Sequence, residues 1–206
     1  FAPRWARGVD EIGADRPAII LANEFLDCLP IRQAVRAGDG WRERRIGPRG
    51  FEAGEPASVP LDGPVGAIFE WSPAVEALGR GVRALLAKAG GAALFVDYGR
   101  VRPELADTLQ AVRGHAKESP LAHPGLADLT GHVDFSAFAF GAPVLGQGDF
   151  LRALGIEARA AALSRANPGE AGKIARQLAR LTAPEGMGEL FKVVALAQPG
   201  LAVPGF

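Results

Sequence analysis

Hydrophobic and polar positions change places most sharply between Pro17 and Pro30. Ala18 to Ala22 is an unbroken apolar run, which predicts a strand buried on both faces. The run stops at Asn23-Glu24, and Asp27 follows three residues after Glu24. A second such run, Ala92 to Val96, ends in Asp97-Tyr98-Gly99. Between them Ser72-Pro73 opens a helix, with serine as N-cap and proline at the first helical position. Val75, Leu78, Val82, Leu85 and Leu86 share one face at helical spacing, and Gly90-Gly91 closes the helix. A helix feeding a buried strand is half of a βαβ unit, so the pattern predicts an α/β fold with a parallel sheet.

The remaining elements are shorter. Ile31–Val35 and Trp41–Ile46 flank Ala37-Gly38-Asp39-Gly40 and predict a hairpin. The charges on its second arm, Arg42-Glu43-Arg44-Arg45, read as a solvated edge strand. Gly47 to Pro64 is rich in Gly and Pro and reads as loop, with a short strand near Val59. Gly66 to Glu70 is strand-like. Arg100 to Val133 has weak periodicity and is too long for a plain connector. Asp107-Thr108 reads as an N-cap pair before Leu109–Val112, and Asp134 to Phe138 starts a helix that Gly141 soon ends. Pro143–Leu145 is a brief strand. Phe150–Leu154 and Ile156–Arg165 are helical on either side of Gly155. Asn167-Pro168-Gly169-Glu170 forms a capping box before a stripe of Ile174, Leu178 and Leu181. Leu190–Leu196 is the last strand. No internal repeat is visible.

At 206 residues the chain is long enough for one substantial core. Lys plus Arg equals Asp plus Glu at 23 each, so the concentrated basic excess of a nucleic-acid binder is absent. Cys28 is the single cysteine, which excludes an intrachain disulfide. Flanked by Leu26 and Leu29, it reads as a small core residue rather than a nucleophile. Three histidines and one cysteine supply a zinc site poorly. No apolar stretch approaches the length of a membrane span.

Ligands of open α/β sheets sit beyond the carboxyl ends of the strands. Asn23, Glu24 and Asp27 end one predicted strand, and Asp97 and Tyr98 end its neighbour, so the two groups wall one cleft. The competing reading makes Asn23 or Asp27 a turn or helix cap, and Tyr98 a packed aromatic. His132 and Asp134 stand two apart, a spacing that suits an oriented imidazole, although a lone loop histidine is also a common structural residue. Ser136 lies close to both, but no Gly-x-Ser-x-Gly elbow occurs, so a hydrolase is the weaker enzyme reading.

Several blocks read together sharpen this picture. Ala22-Asn23-Glu24-Phe25-Leu26-Asp27-Cys28-Leu29-Pro30 resembles the "NEFFDALP" block of the MidA family. Leu94–Gly99, Asp107–Arg113, Ala127–Phe135 and the closing Met187–Val193 match in the same order. The resemblance covers nearly the whole chain. It implies a Rossmann-like class I methyltransferase sheet, mostly parallel with helices on both faces, and S-adenosylmethionine as cofactor. The family includes a mitochondrial complex I assembly factor with protein arginine methyltransferase activity. Arginine methylation of a protein substrate, such as a complex I subunit, is therefore the implied function. For that chemistry, residue type and strand-end position make Glu24, Asp27 and His132 the expected catalytic residues, Asn23 and Glu24 the expected cofactor contacts, and Asp97, Tyr98 and Asp134 the expected substrate contacts. A bacterial member is expected in the cytoplasm, and eukaryotic relatives in mitochondria.

The family's glycine-rich turn after the first strand, and the acid after the second, are not in this sequence. The resemblance thus makes residues 1–206 the C-terminal part of one methyltransferase domain, apparently lacking its first three strands. Residues 31–64 are then a hairpin insertion and 100–133 a long insertion. Around Phe138 to Gln147 the chain is shorter than the family pattern. An isolated chain of this kind is expected to form dimers or aggregates through an unpaired strand. A partner-binding assembly module without catalysis is the reading from a different class, with the hairpin and the long segment as its docking surface.

Overall fold

The structure is a computed structural model describing residues 3–206. In chain order, β1 (Ala18–Asn23) opens the principal sheet, and β2 (Arg32–Ala37), β3 (Gly40–Gly47), β4 (Gly50–Pro56) and β5 (Ile68–Trp71) build a second one. Helix α1 (Pro73–Ala89) then returns the chain to the principal sheet as β6 (Gly91–Arg100). A third, small sheet holds β7 (Gln110–Arg113), β8 (Ala116–Glu118) and β9 (Asp128–Thr130). β10 (Val133–Asp134), α2 (Phe135–Ala139), β11 (Val144–Gly146), α3 (Gln147–Ala153), α4 (Ile156–Ala166), α5 (Ala171–Thr182) and β12 (Phe191–Ala197) complete the chain.

The principal sheet runs β1-β6-β12-β11, with β10 also on β6. β1 and β10 pair with β6 in parallel, whereas β12 pairs with β6, and β11 with β12, antiparallel. The expected mostly parallel sheet is therefore a mixed one. The βα-derived part is parallel as the pattern required, and the terminal β11–β12 pair reverses direction.

Coverage is uneven as well. Val193 and Val194 are adjacent, point to opposite faces, and are both fully buried, so β12 is covered on both sides. In β1, Ile20 packs against the core while Ile19 is 83% and Leu21 75% exposed. β1 is thus an edge strand covered on one face only, not the doubly buried strand its apolar run predicted. An unbroken run states what a strand can bury, not what lies beside it.

The core joins the covered face of the sheet to α1 and α2. Phe95 packs edge-on against Phe138 with ring centroids 4.6 Å apart, among Val75, Val82, Leu86 and Val194. Ser72 caps α1 by accepting from the Val75 amide at 3.1 Å, and Val75, Val82, Leu85 and Leu86 are buried as the periodicity required. Gly99 has its own role. A Cβ there would lie 2.1 Å from the Val133 carbonyl oxygen, so only glycine lets β10 close onto β6.

The hairpin forms as expected, but it belongs to a four-stranded sheet ordered β4-β3-β2-β5. The charged arm β3 is central, not an edge, and Gly50–Pro56 is a strand where loop was expected. The charges on β3 are met by partners: Glu43 binds Arg32 and Arg45, and Arg44 binds Asp107 at 2.8 Å. Residues 110–113 form β7 rather than a helix, and Asp107-Thr108 caps no helix. Nor does Asn167 cap α5. Its side-chain amide donates to the Leu163 carbonyl at 3.2 Å, closing α4 instead. Cys28 is exposed, its thiol donating to the Phe25 carbonyl, so it is not a core residue.

Glu70, only 2% exposed, binds the second sheet to the long segment. Its Oε1 accepts from Gln33 Nε2 at 2.6 Å, the Thr108 amide at 3.0 Å and the Leu109 amide at 3.2 Å. Its Oε2 accepts the Thr108 hydroxyl. Buried Arg100 donates to the Glu70 carbonyl at 2.7 Å and lies 3.9 Å from Asp134. These donors satisfy both oxygens of a carboxylate that has almost no access to water.

Glu70→Ala leaves the Thr108 and Leu109 amides and the Thr108 hydroxyl without their acceptor and removes the carboxylate 3.8 Å from the buried Arg100 guanidinium, and is expected to cost about 3–5 kcal/mol in urea unfolding. Hydrogen exchange should speed up first in residues 107–113. Replacing exposed Ile19 and Leu21 together by lysine is expected to suppress self-association in light scattering without lowering stability. A monodisperse monomer before substitution would contradict the expected role of this edge.

Candidate functional site

Functional groups gather at the carboxyl ends of β1 and β6, where an open α/β sheet places them. β1 ends at Asn23, and the Glu24 amide still donates to the Val96 carbonyl at 2.9 Å. Glu24 itself adopts φ 48°, the left-handed region that a non-glycine residue enters at a cost. The chain then folds over the end of β6. The amides of Phe25, Leu26 and Asp27 all point to Asp97 Oδ2, at 3.0, 2.8 and 3.3 Å. Asp97 Oδ1 accepts the Tyr98 amide at 2.9 Å. One carboxylate thus fixes the turn carrying the acids and ties β1 to β6.

Asp97 has no exposed surface. Burial, and next the neighbouring charge of Asp27, push its carboxyl up from 3.8 to about 6, against the opposing pull of the backbone amides. Expected as a substrate-facing residue, it instead has every oxygen committed to the backbone.

Asp27 lies one step outward and is half-buried. Its Oδ2 accepts two hydroxyls, from Tyr98 and from Thr130, the latter at 2.7 Å. Tyr98 and Thr130 also touch through their hydroxyls. Asp27 Oδ1 has no hydrogen-bond partner among the described residues. The Tyr98 ring stands edge-on to Phe191 at 5.4 Å and to His132 at 5.8 Å. Burial, then the bond to Asp27, push the phenol above its ordinary range. Burial lowers the His132 imidazole, which is therefore neutral at neutral pH. Its backbone amide donates to Thr108 Oγ1 at 2.9 Å, so His132 is held by the knot around Glu70.

The structure therefore unites Asp27, Tyr98 and His132, three of the expected residues, and adds Thr130. Nothing in the sequence singles out one threonine in a strand of three residues. Asn23 and Glu24 form a separate exposed pair, 3.4 Å apart, and do not touch Asp27. Asp134 is withdrawn from the site. It caps α2 by accepting from the Ser136 and Ala137 amides, and its other oxygen lies 3.9 Å from buried Arg100. Ser136 donates to Asp134 rather than to His132, and a hydrolase triad is not assembled. Among the described residues no cluster suited to a metal ion occurs, and no helix is long and apolar enough to cross a membrane.

A groove of about 520 Å³ runs beside β1, bordered by Val9, Ile20, Asn23, Phe25 and Leu29. A larger hollow, about 690 Å³, lies at the opposite end of the sheet between Arg83, Phe140 and Gln198. It is remote from the strand-end chemistry.

Comparison with known proteins defines the class to which the chain belongs. A family model described as "Putative S-adenosyl-L-methionine-dependent methyltransferase" matches residues 1–142. The chain belongs to this family, the MidA group of S-adenosylmethionine-dependent methyltransferases. It is similar to the protein arginine methyltransferase NDUFAF7, mitochondrial, of Danio rerio, with 32% identity over 91% of this chain and 49% of the relative. The Drosophila melanogaster homologue is 29% identical over 93% of this chain and 49% of its own length. The chain thus spans about half the length of these relatives. A crystal structure of a Burkholderia thailandensis protein superposes with TM-score 0.82 at 30% identity, covering 98% of this chain and 60% of that one. A second structure from that organism, solved with S-adenosyl-homocysteine bound, gives TM-score 0.80 at 29% identity, covering 98% of this chain and 58% of that one.

The raised carboxyl of Asp97 has a thermodynamic consequence. An acid whose folded pKa exceeds its unfolded value stabilises the fold fully below the unfolded pKa, and loses that contribution as pH rises through the folded one. Stability carried by Asp97 should therefore fall from about pH 4 to about pH 6, by about 3 kcal/mol. Urea unfolding of the native chain and of Asp97→Asn across this window should show the difference narrowing. Parallel curves would refute the assignment.

Proposed function

We propose that this protein is part of a methyltransferase that moves a methyl group from S-adenosylmethionine to an arginine nitrogen of a protein substrate. The observation that carries the proposal is the polar strand end, Asn23, Glu24 and Asp27, in a chain of this methyltransferase family. The curated relatives' names supply the arginine, and the resemblance to the MidA family supplies a complex I subunit as the substrate to test first. The outer edge of β1, which no strand joins among the described residues, and bare Ile19 and Leu21 support a larger domain that covers this side of the sheet.

The exposed amide of Asn23 and carboxylate of Glu24 fit a polar cofactor at the mouth of the groove. The cofactor brings an electrophilic methyl group on a sulfonium. The protein's part is to align the acceptor with it and supply the electrostatic setting. A guanidinium is planar and stays cationic at neutral pH. The free oxygen of Asp27 accepts one of its N–H groups, and Glu24 lies on the cofactor side. His132, whose ring lies 5.8 Å from that of Tyr98, is the side chain we assign to receive the proton that the nitrogen loses. A partner-binding module without catalysis is the competing reading, supported by the same bare edge.

Calorimetry with S-adenosylmethionine, on this chain and on a form extended at the N-terminus, separates the two readings. Binding by the extended form supports the enzyme, and binding by neither supports the module. In the extended enzyme, Asp27→Asn is expected to reduce methyl transfer to arginine peptides at least tenfold. Glu24→Gln should weaken cofactor or substrate binding. Unchanged rate and unchanged arginine selectivity in both variants would remove the acids from the mechanism.

A further inference from the structure

Asp27 is held in an unusual way, and the holding groups come from three separate parts of the chain. Asp27 sits on the turn after β1, Tyr98 on β6, and Thr130 at the end of β9 in the small third sheet. Both hydroxyls bind the same oxygen, Oδ2. A carboxylate with one oxygen fixed by two donors cannot rotate freely about its last torsion. Its other oxygen is then presented in one direction with its acceptor capacity unused. Neither hydroxyl is needed to satisfy a buried backbone group, because Asp97 already serves the turn.

We infer that Thr130 is a positioning residue, acting with Tyr98 to lock Asp27 so that its Oδ1 is the acceptor for a nitrogen-bearing, cationic substrate side chain. The inference rests on the proposed function and deepens it. It makes the 100–133 segment part of the substrate side of the site, through one hydroxyl. It also assigns different tasks to the two acids: Asp27 is anchored and directional, while Glu24 is exposed and free of such anchoring.

Thr130 is nearly buried, so Thr130→Val, which keeps shape and removes the donor, is the informative change, and Thr130→Ser is the conservative control. Tyr98→Phe serves as a second variant if the valine form folds poorly. Tyr98 is the only tyrosine in the chain, so tyrosine labelled with carbon-13 at Cζ gives one resonance. That resonance should move in Thr130→Val and stay at its native position in Thr130→Ser. In the complete enzyme, methyl transfer from tritiated S-adenosylmethionine to an arginine-containing peptide library is then measured. Thr130→Val is expected to raise the peptide KM about tenfold while cofactor affinity by calorimetry is unchanged, with serine restoring the native KM. A native KM in both Thr130→Val and Tyr98→Phe, with active parent enzyme, overturns the positioning role and leaves the proposed function standing. A parent enzyme that neither binds the cofactor nor transfers methyl groups overturns both.

Discussion

The carboxylate of Asp97 is the constraint on which the site depends. It receives the amides of three consecutive residues, Phe25 to Asp27, and that of Tyr98. These groups would otherwise be orphaned where β1 ends against the core, since Leu26 is buried there. Placing a carboxylate with no exposed surface beside a second acid is costly. The backbone amides make it tolerable by concentrating positive partial charge on it. The turn is thereby rigid, and Asp27 leaves it in a defined direction toward Tyr98 and Thr130.

A second buried carboxylate performs the same service for the periphery. Glu70 gathers Gln33 from β2, the 108–109 backbone and Arg100 from the end of β6. The second sheet, the long segment and the principal sheet thus meet at one charged knot rather than at an apolar interface. His132 and Thr130 arrive at the strand end because this knot and the β7–β9 pairing fix the segment that carries them. The second sheet and the 100–133 segment thus hold one another, and the strand-end residues, in place.

Much of the principal layer was legible in the sequence. Ser72-Pro73, the stripe from Val75 to Leu86 and the glycine stop specify α1 through local chemistry alone. The strands flanking it follow from uninterrupted apolar runs. The strand-end location of Asn23, Glu24, Asp27 and Tyr98 followed from where those runs stop. Less legible were features set by pairing. β3 carries four charged residues in succession, yet is central, because neighbouring strands and Asp107 supply counter-charges that no local window contains. Gly50–Pro56 forms a strand because β3 offers it a partner. Asp97 looked like a site residue and proved to be an internal acceptor, since exposure depends on what folds over a residue.

The sequence by itself determined the helix α1, the apolar strands β1 and β6 and the set of polar groups at their ends. Periodicity, caps and turn residues act over a few positions and need no tertiary partner. The tertiary structure alone decided which of those groups meet. It joined Asp27 to Thr130 across 103 positions, turned Asp134 inward as a helix cap, and left one face of β1 bare. Long-range hydrogen bonds and burial are properties of the assembled layers, and neither is written in any short stretch of the chain.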